Sequence, residues 1–111
     1  VFSFPVVLPP VRIETDFPRS AKPSQVFRFV VSRFKDEKFR GEQPVERLTD
    51  VEVEAVAANG IPIEIDLYMI RKGQFEFVFS SISAALKAGR VIVTIHCFGA
   101  TARRDVQIVK L

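Results

Sequence analysis

Four successive runs after residue 50 alternate apolar and polar positions. Val51, Val53, Ala55 and Ala57 alternate with Glu52 and Glu54, and Ile63, Ile65, Leu67 and Met69 alternate with Glu64, Asp66 and Tyr68. Phe75, Phe77 and Phe79 alternate with Gln74 and Glu76, and Val91, Val93, Ile95 and Cys97 alternate with Ile92, Thr94 and His96. Successive strand side chains point to opposite faces, so a period of two gives each run one apolar face for a core. Val106 and Ile108 supply a short last strand, and residues 6–13, interrupted by Pro9-Pro10, supply a broken edge strand at the start. Residues 24–34 fit two periods. Phe27, Val30, Val31 and Phe34 have helical spacing behind Ser24, while Phe27, Phe29 and Val31 have strand spacing. The density of β-branched and aromatic residues on both parities, after Pro23, favours the strand. Residues 82–88 read instead as a short helix, with Ser81 or Ser83 as its cap and Gly89 placed to end it.

Turn arithmetic tests which strands pair. Arg71-Lys72-Gly73 suits a three-residue hairpin loop that sets Ile70 opposite Gln74, Met69 opposite Phe75, Leu67 opposite Phe77 and Ile65 opposite Phe79. Every inward residue then meets an inward partner. A two-residue hairpin at Asn59-Gly60 fails the same test, because it matches Val53 with Asp66 and Glu54 with Ile65. Shifting it by one residue sets Glu54 against Asp66, a like-charge pair. The chain is therefore expected to turn at Asn59-Gly60 and cross to a second sheet. The fold class is all-β, an immunoglobulin-like antiparallel sandwich of two sheets and about seven strands, with one short helix near residues 82–88.

A chain of 111 residues supports one domain over residues 1–111, and 48% apolar residues with eleven Phe are ample for its core. One cysteine allows no internal disulfide, and one histidine fits no common zinc pattern. No apolar run approaches the roughly 20 residues of a membrane-spanning helix. The opening VFSFPVVLPP lacks a basic region and a cleavage site, and the absent initiator Met suggests a piece excised from a larger multidomain protein. The net charge of +3 hides a segregation. Residues 12–40 carry eight basic and four acidic side chains, residues 42–66 carry one basic and seven acidic, and residues 71–110 carry seven basic and two acidic. Phe27-Arg28-Phe29 and Phe39-Arg40 superficially interleave bases with aromatics, but alternating Phe and Arg also makes a half-buried strand, and Asp36 and Glu37 interrupt the run. A nucleic-acid partner is disfavoured.

The C-terminal half resembles a filamin-type immunoglobulin-like repeat. Gly73-Gln74-Phe75-Glu76-Phe77-Val78-Phe79 matches that family's Gly, x, aromatic, x, apolar, x, aromatic strand. Gly89-Arg90-Val91-Ile92-Val93-Thr94-Ile95 followed by Gly99 matches the next strand, and Val106-Gln107-Ile108 matches the last. The link from Phe79 to Gly89 is longer than the family's, Val91 replaces a Tyr, and Arg104-Asp105-Val106 stands where the family has Ser-Pro-Phe. The resemblance covers roughly residues 51–111. It implies a structural and protein-interaction module that captures a partner by strand addition beside Val51, Val53, Ala55 and Ala57. Small Ala55 and Ala57 would leave room for partner side chains, and the surrounding Glu52, Glu54, Glu64 and Asp66 would favour a basic peptide.

Candidate chemistry is sparse. His96 and Cys97 are strand neighbours facing opposite ways, so they cannot act as base and nucleophile. Cys97 falls on the core parity as a small buried residue, and His96 falls on the outer one. The spacing of Glu52, Glu54, Glu64 and Asp66 reads more simply as the solvent side of two amphipathic strands than as a cation site or an acid/base pair. No phosphate-binding Gly loop or nucleophile elbow occurs. No catalytic group, cofactor or metal is expected. The partners are a protein or neighbouring domains of the same chain, without membrane insertion by this segment. Alternative readings are an adhesion or fusion ectodomain and an accessory domain beside a catalytic one. The lone cysteine favours the cytoplasm and leaves the cell surface open.

Overall fold

The computed structural model describes residues 11–34, 41, 43–45 and 47–109, so the opening at 6–10 and the Phe39-Arg40 pair lie outside the described residues. In chain order the elements are β1 (Val11–Asp16), β2 (Ser20–Ala21), β3 (Phe27–Arg33), β4 (Gln43–Pro44), β5 (Val51–Ala57) and β6 (Pro62–Ile63). They continue with β7 (Ile65–Arg71), β8 (Gln74–Phe79), α1 (Ile82–Ala88), β9 (Arg90–Cys97) and β10 (Ala100–Ile108). Seven of the strands have six residues or more, and β2, β4 and β6 have two each. The first sheet has the order β1-β3-β8-β7, with β4 also on β3, and the second has the order β2-β10-β9-β5-β6. The pairings are antiparallel except β2 with β10, which is parallel. The segment with two competing periods is thus strand β3.

The two sheets contribute unlike side chains to the shared core. Phe27 and Phe29 lie opposite Phe77 and Phe75 across the β3–β8 pair. Each couple stacks at an interplanar angle of 14°, with centroids 5.0 and 5.3 Å apart. Phe17, in the link after β1, sets its ring edge-on to Phe27, Phe29 and Phe77, and Phe79 does the same to Phe27 and Phe77. Offset or perpendicular rings bring positive edges to negative faces, worth about 0.5–1.5 kcal/mol per pair beyond simple burial. Against this aromatic layer the second sheet presents smaller residues, including Ala55, Ala57, Val91, Val93, Ile95, Ala102 and Val106, all buried. Large against small keeps the space between the sheets filled.

The connections refine the sequence expectations at three points. In the β7–β8 hairpin Met69, Leu67 and Ile65 face Phe75, Phe77 and Phe79 as expected, but a bulge sets Arg71, not Ile70, opposite Gln74. The extra residue shortens the loop to Lys72-Gly73, with Gly73 at φ +79°. Beyond Asn59-Gly60 the chain does not cross immediately. The Gly60 N–H donates to the Ala57 carbonyl at 2.8 Å, Asn59 Oδ1 accepts from the Ile61 N–H, and Ala55 pairs with Ile63 and Val56 with Pro62. The crossing to the first sheet comes at Glu64, after this short pairing. Finally, β10 begins at Ala100, well before Val106, behind a two-residue turn in which Phe98 and Gly99 both have positive φ, 48° and 83°. Within β10, Arg104 shares the core parity with Ala102 and Val106, yet its guanidinium leaves the core and its Nε donates to Thr15 Oγ1 on β1 at 2.9 Å. Arg104 thereby ties the margins of the two sheets together.

Helix α1 occupies the long link between β8 and β9. Ser81 caps it, its Oγ accepting from the Ala84 N–H at 3.2 Å, and Ala85 is fully buried against the core. Seven residues are too few for an isolated helix, so packing of that face maintains it. Gly89 ends the helix at φ 71° and ψ −45°, a conformation an L residue adopts only with strain, and its carbonyl accepts from the Ile108 N–H at 2.7 Å. A Cβ on Gly89 would meet no atom within 4 Å, so any cost of Gly89→Ala comes from the backbone alone. That variant should lose about 1–2 kcal/mol of stability, read as a lower urea midpoint with an unchanged slope.

Candidate functional site

Backbone groups of a strand point alternately to its two sides, and β5 uses its sides unequally. One side pairs with β9 along its whole length, Val51 opposite Cys97 through Ala57 opposite Val91. The Ala58 N–H continues that ladder by donating to the Arg90 carbonyl. On the other side the Ala57 N–H donates to the Ile61 carbonyl at 2.8 Å, and β6 pairs only with Ala55 and Val56. By the same alternation the N–H and C=O of Val53 and the C=O of Val51 point off the sheet. No described strand pairs with them. The Val51 N–H is engaged with the Leu48 carbonyl of the 3-10 turn Leu48–Asp50 that leads into β5.

The side chains named from the sequence divide among three environments. Val51, Ala55 and Ala57 are buried and Val53 is half-buried, all on the inward parity. Ala55 and Ala57 are 3% and 4% exposed, and β6 lies along their segment, so the uncovered part of the edge is the Val51–Glu54 half. Glu52 and Glu54 are exposed on the outer face of the second sheet, opposite His96 and Thr94. Glu64 is exposed at the crossing, its carbonyl accepting from the Ser80 N–H at 3.0 Å. Asp66 lies on the outer face of the other sheet, opposite Val78. The edge is therefore flanked by Glu52 and Glu54, while Asp66 faces elsewhere.

His96 and Cys97 point apart. The His96 Nδ1 lies 3.1 Å from Thr101 Oγ1 on the outer face, whereas Cys97 is 2% exposed on the inner one. Burial pushes the Cys97 thiol up to about 11, the charge of Asp50 adds to this, and Arg33 partly offsets it. Such a thiol is protonated at neutral pH and a poor nucleophile. Among the described residues no three His, Cys, Asp or Glu side chains come together as a metal-binding group, and no helix is long and apolar enough to cross a membrane.

Two packed sheets joined in this order form an all-β immunoglobulin-like sandwich. The chain is similar to the crystal structure of the Lin-41 filamin domain, at a TM-score of 0.55 and 14% sequence identity, over 93% of this chain and 98% of that one. No family model matches the sequence, and no curated protein matches it.

The raised thiol has a pH signature. A solvent-exposed thiol titrates near 9.0, so above that pH an unfolded chain releases a proton that folded Cys97 keeps until about 11. This contribution to stability is fully present below pH 9 and declines as pH rises towards 11. Urea unfolding should show wild type losing stability relative to Cys97→Ala across that window. A pH-independent gap between the two proteins would contradict the buried, protonated thiol.

Proposed function

We propose that this chain is a non-catalytic protein-interaction module that captures an extended peptide by adding it as a strand to the outer edge of β5 at Val51–Glu54. The observation that carries this reading is the half-used edge. At Ala55 and Val56 it already accepts β6, and at Val53 the same row of backbone groups continues without a described partner. A peptide strand there would exchange hydrogen bonds with Val53 and accept none of the cost of opening an existing pair. The half-buried Val53 offers an apolar contact on the inward side, and Glu52 and Glu54 on the outward side favour a peptide carrying Lys or Arg. The likeness to a filamin domain supports a module of this kind.

Val53→Pro removes one donor from the outer edge, a position where proline is tolerated because its N–H makes no ladder bond. Titration of the ¹⁵N-labelled domain with an extended Lys-containing peptide should move the amides of residues 51–57. Val53→Pro should abolish those changes while leaving the fold intact, and Glu52→Lys with Glu54→Lys should weaken binding about tenfold. Undiminished binding by Val53→Pro would refute strand addition at this edge.

A further inference from the structure

The outer face of the first sheet holds a recess of about 370 Å³ whose lining includes Glu14 and Asp16 of β1, Arg28 and Val30 of β3, Ile70 of β7 and Gln74 of β8. Two of these are large apolar side chains left in solvent, Val30 at 37% and Ile70 at 47% exposure. They face each other across one row of the sheet. Val30 lies opposite Gln74, and the β7 bulge falls between Met69 and Arg71, so that Ile70 is the extra residue beside Gln74. On the β1 side of the same row stands Glu14, opposite Val30, and in the next row stands Asp16, opposite Arg28.

The charges around the recess do not balance. Arg28 Nε is committed to Glu76 Oε1 at 2.7 Å, and Tyr68 of β7 stands opposite that same Glu76. Arg28 thus shares its charge with Glu76, and the lining itself holds two carboxylates, Glu14 and Asp16, against this one guanidinium. Among the described residues Glu14 pairs with Arg12, at 3.9 Å between two exposed side chains, a contact of little energetic weight. The recess thus sets two exposed aliphatic side chains on either side of Gln74, with two carboxylates against one guanidinium in its lining.

We propose that this recess is a second docking site, for a protein segment that inserts an aliphatic side chain between Val30 and Ile70 and places a flanking Lys or Arg against Glu14 and Asp16. The apolar contact removes Val30 and Ile70 from water, and the basic neighbour offsets the excess of carboxylate over guanidinium in the lining. Such a site is separate from strand addition, because it uses side chains of the opposite sheet and no backbone pairing. A partner with two such segments could engage both sheets at once and gain avidity without new contacts.

The test is an amide-shift titration of the ¹⁵N-labelled chain with a capped Lys-Leu-Lys-Gly-Leu-Lys peptide and with its counterpart bearing Glu for every Lys. The Lys peptide should move the amides of Glu14, Asp16, Val30, Ile70 and Gln74, more weakly at high salt, and the Glu peptide should not. Glu14→Lys with Asp16→Lys should reduce the affinity read from those amides about tenfold, Ile70→Ser should reduce it too, and Val53→Pro should leave it unchanged. Shifts confined to the β5 edge, equal shifts from the Glu peptide, or full affinity after charge reversal would overturn the proposal. So would concentration-dependent shifts at Val30 and Ile70 without peptide, which would make a second copy of the chain the occupant.

Discussion

If β6 continued along β5 in its observed register, Glu54 would stand against Glu64 and Glu52 against Asp66. Each like-charge pair costs about 0.2–1 kcal/mol, and leaving the sheet at Glu64 avoids both. The larger gain lies on the other side of the crossing, where Ile65, Leu67 and Met69 meet Phe79, Phe77 and Phe75. Burying side chains of this size is worth about 1.5–3 kcal/mol each when complete, and somewhat less for these half-buried ones. Packing therefore drives the change of sheet, and repulsion sets where it happens. The same event completes the first sheet with β7 and ends β6 after two residues, which leaves the Val51–Glu54 edge uncovered.

The unequal division of bulk between the sheets follows from that arrangement. With β7 delivered to the first sheet, β8 is flanked on both sides and its three phenylalanines are enclosed by β3 and β7. Rings of that size leave room for smaller side chains across the core, and β5, β9 and β10 provide Ala, Val, Cys and Ile. Where the two sheets approach their common margin beside β1, the inward position on β10 is taken by Arg104, which bonds Thr15. A charged residue on the core parity is tolerated there because its head reaches solvent while its stem spans the gap.

Much of this was legible in the alternation itself. The inward sets of β5, β7, β8 and β9, the Phe pairings of the β7–β8 hairpin, and the Ser81 and Gly89 limits of α1 follow from period and capping chemistry. What escaped has local causes. A three-residue loop and a two-residue loop with a bulge leave the same inward pairs, so the position of Ile70 could not be told from pattern. The first half of β10 was hidden by Arg103-Arg104-Asp105, whose polar run breaks the alternation for a reason that lies on β1. The parallel pair of Ser20-Ala21 with β10 has no local signal, since its partner is distant in sequence. At the site, the residues of β5 were readable but the open half was not, because it depends on where β6 stops.

The exchange rate of one amide tests the central claim most directly. Val53 N–H, on the outer side of β5, should exchange with solvent far faster than Val56 N–H, which points into the β9 ladder, and it should become protected when a basic extended peptide binds. Equal protection of the two amides in the free protein would mean that the edge is already covered. Failure of Val53 to gain protection in the complex would mean that the peptide does not add as a strand.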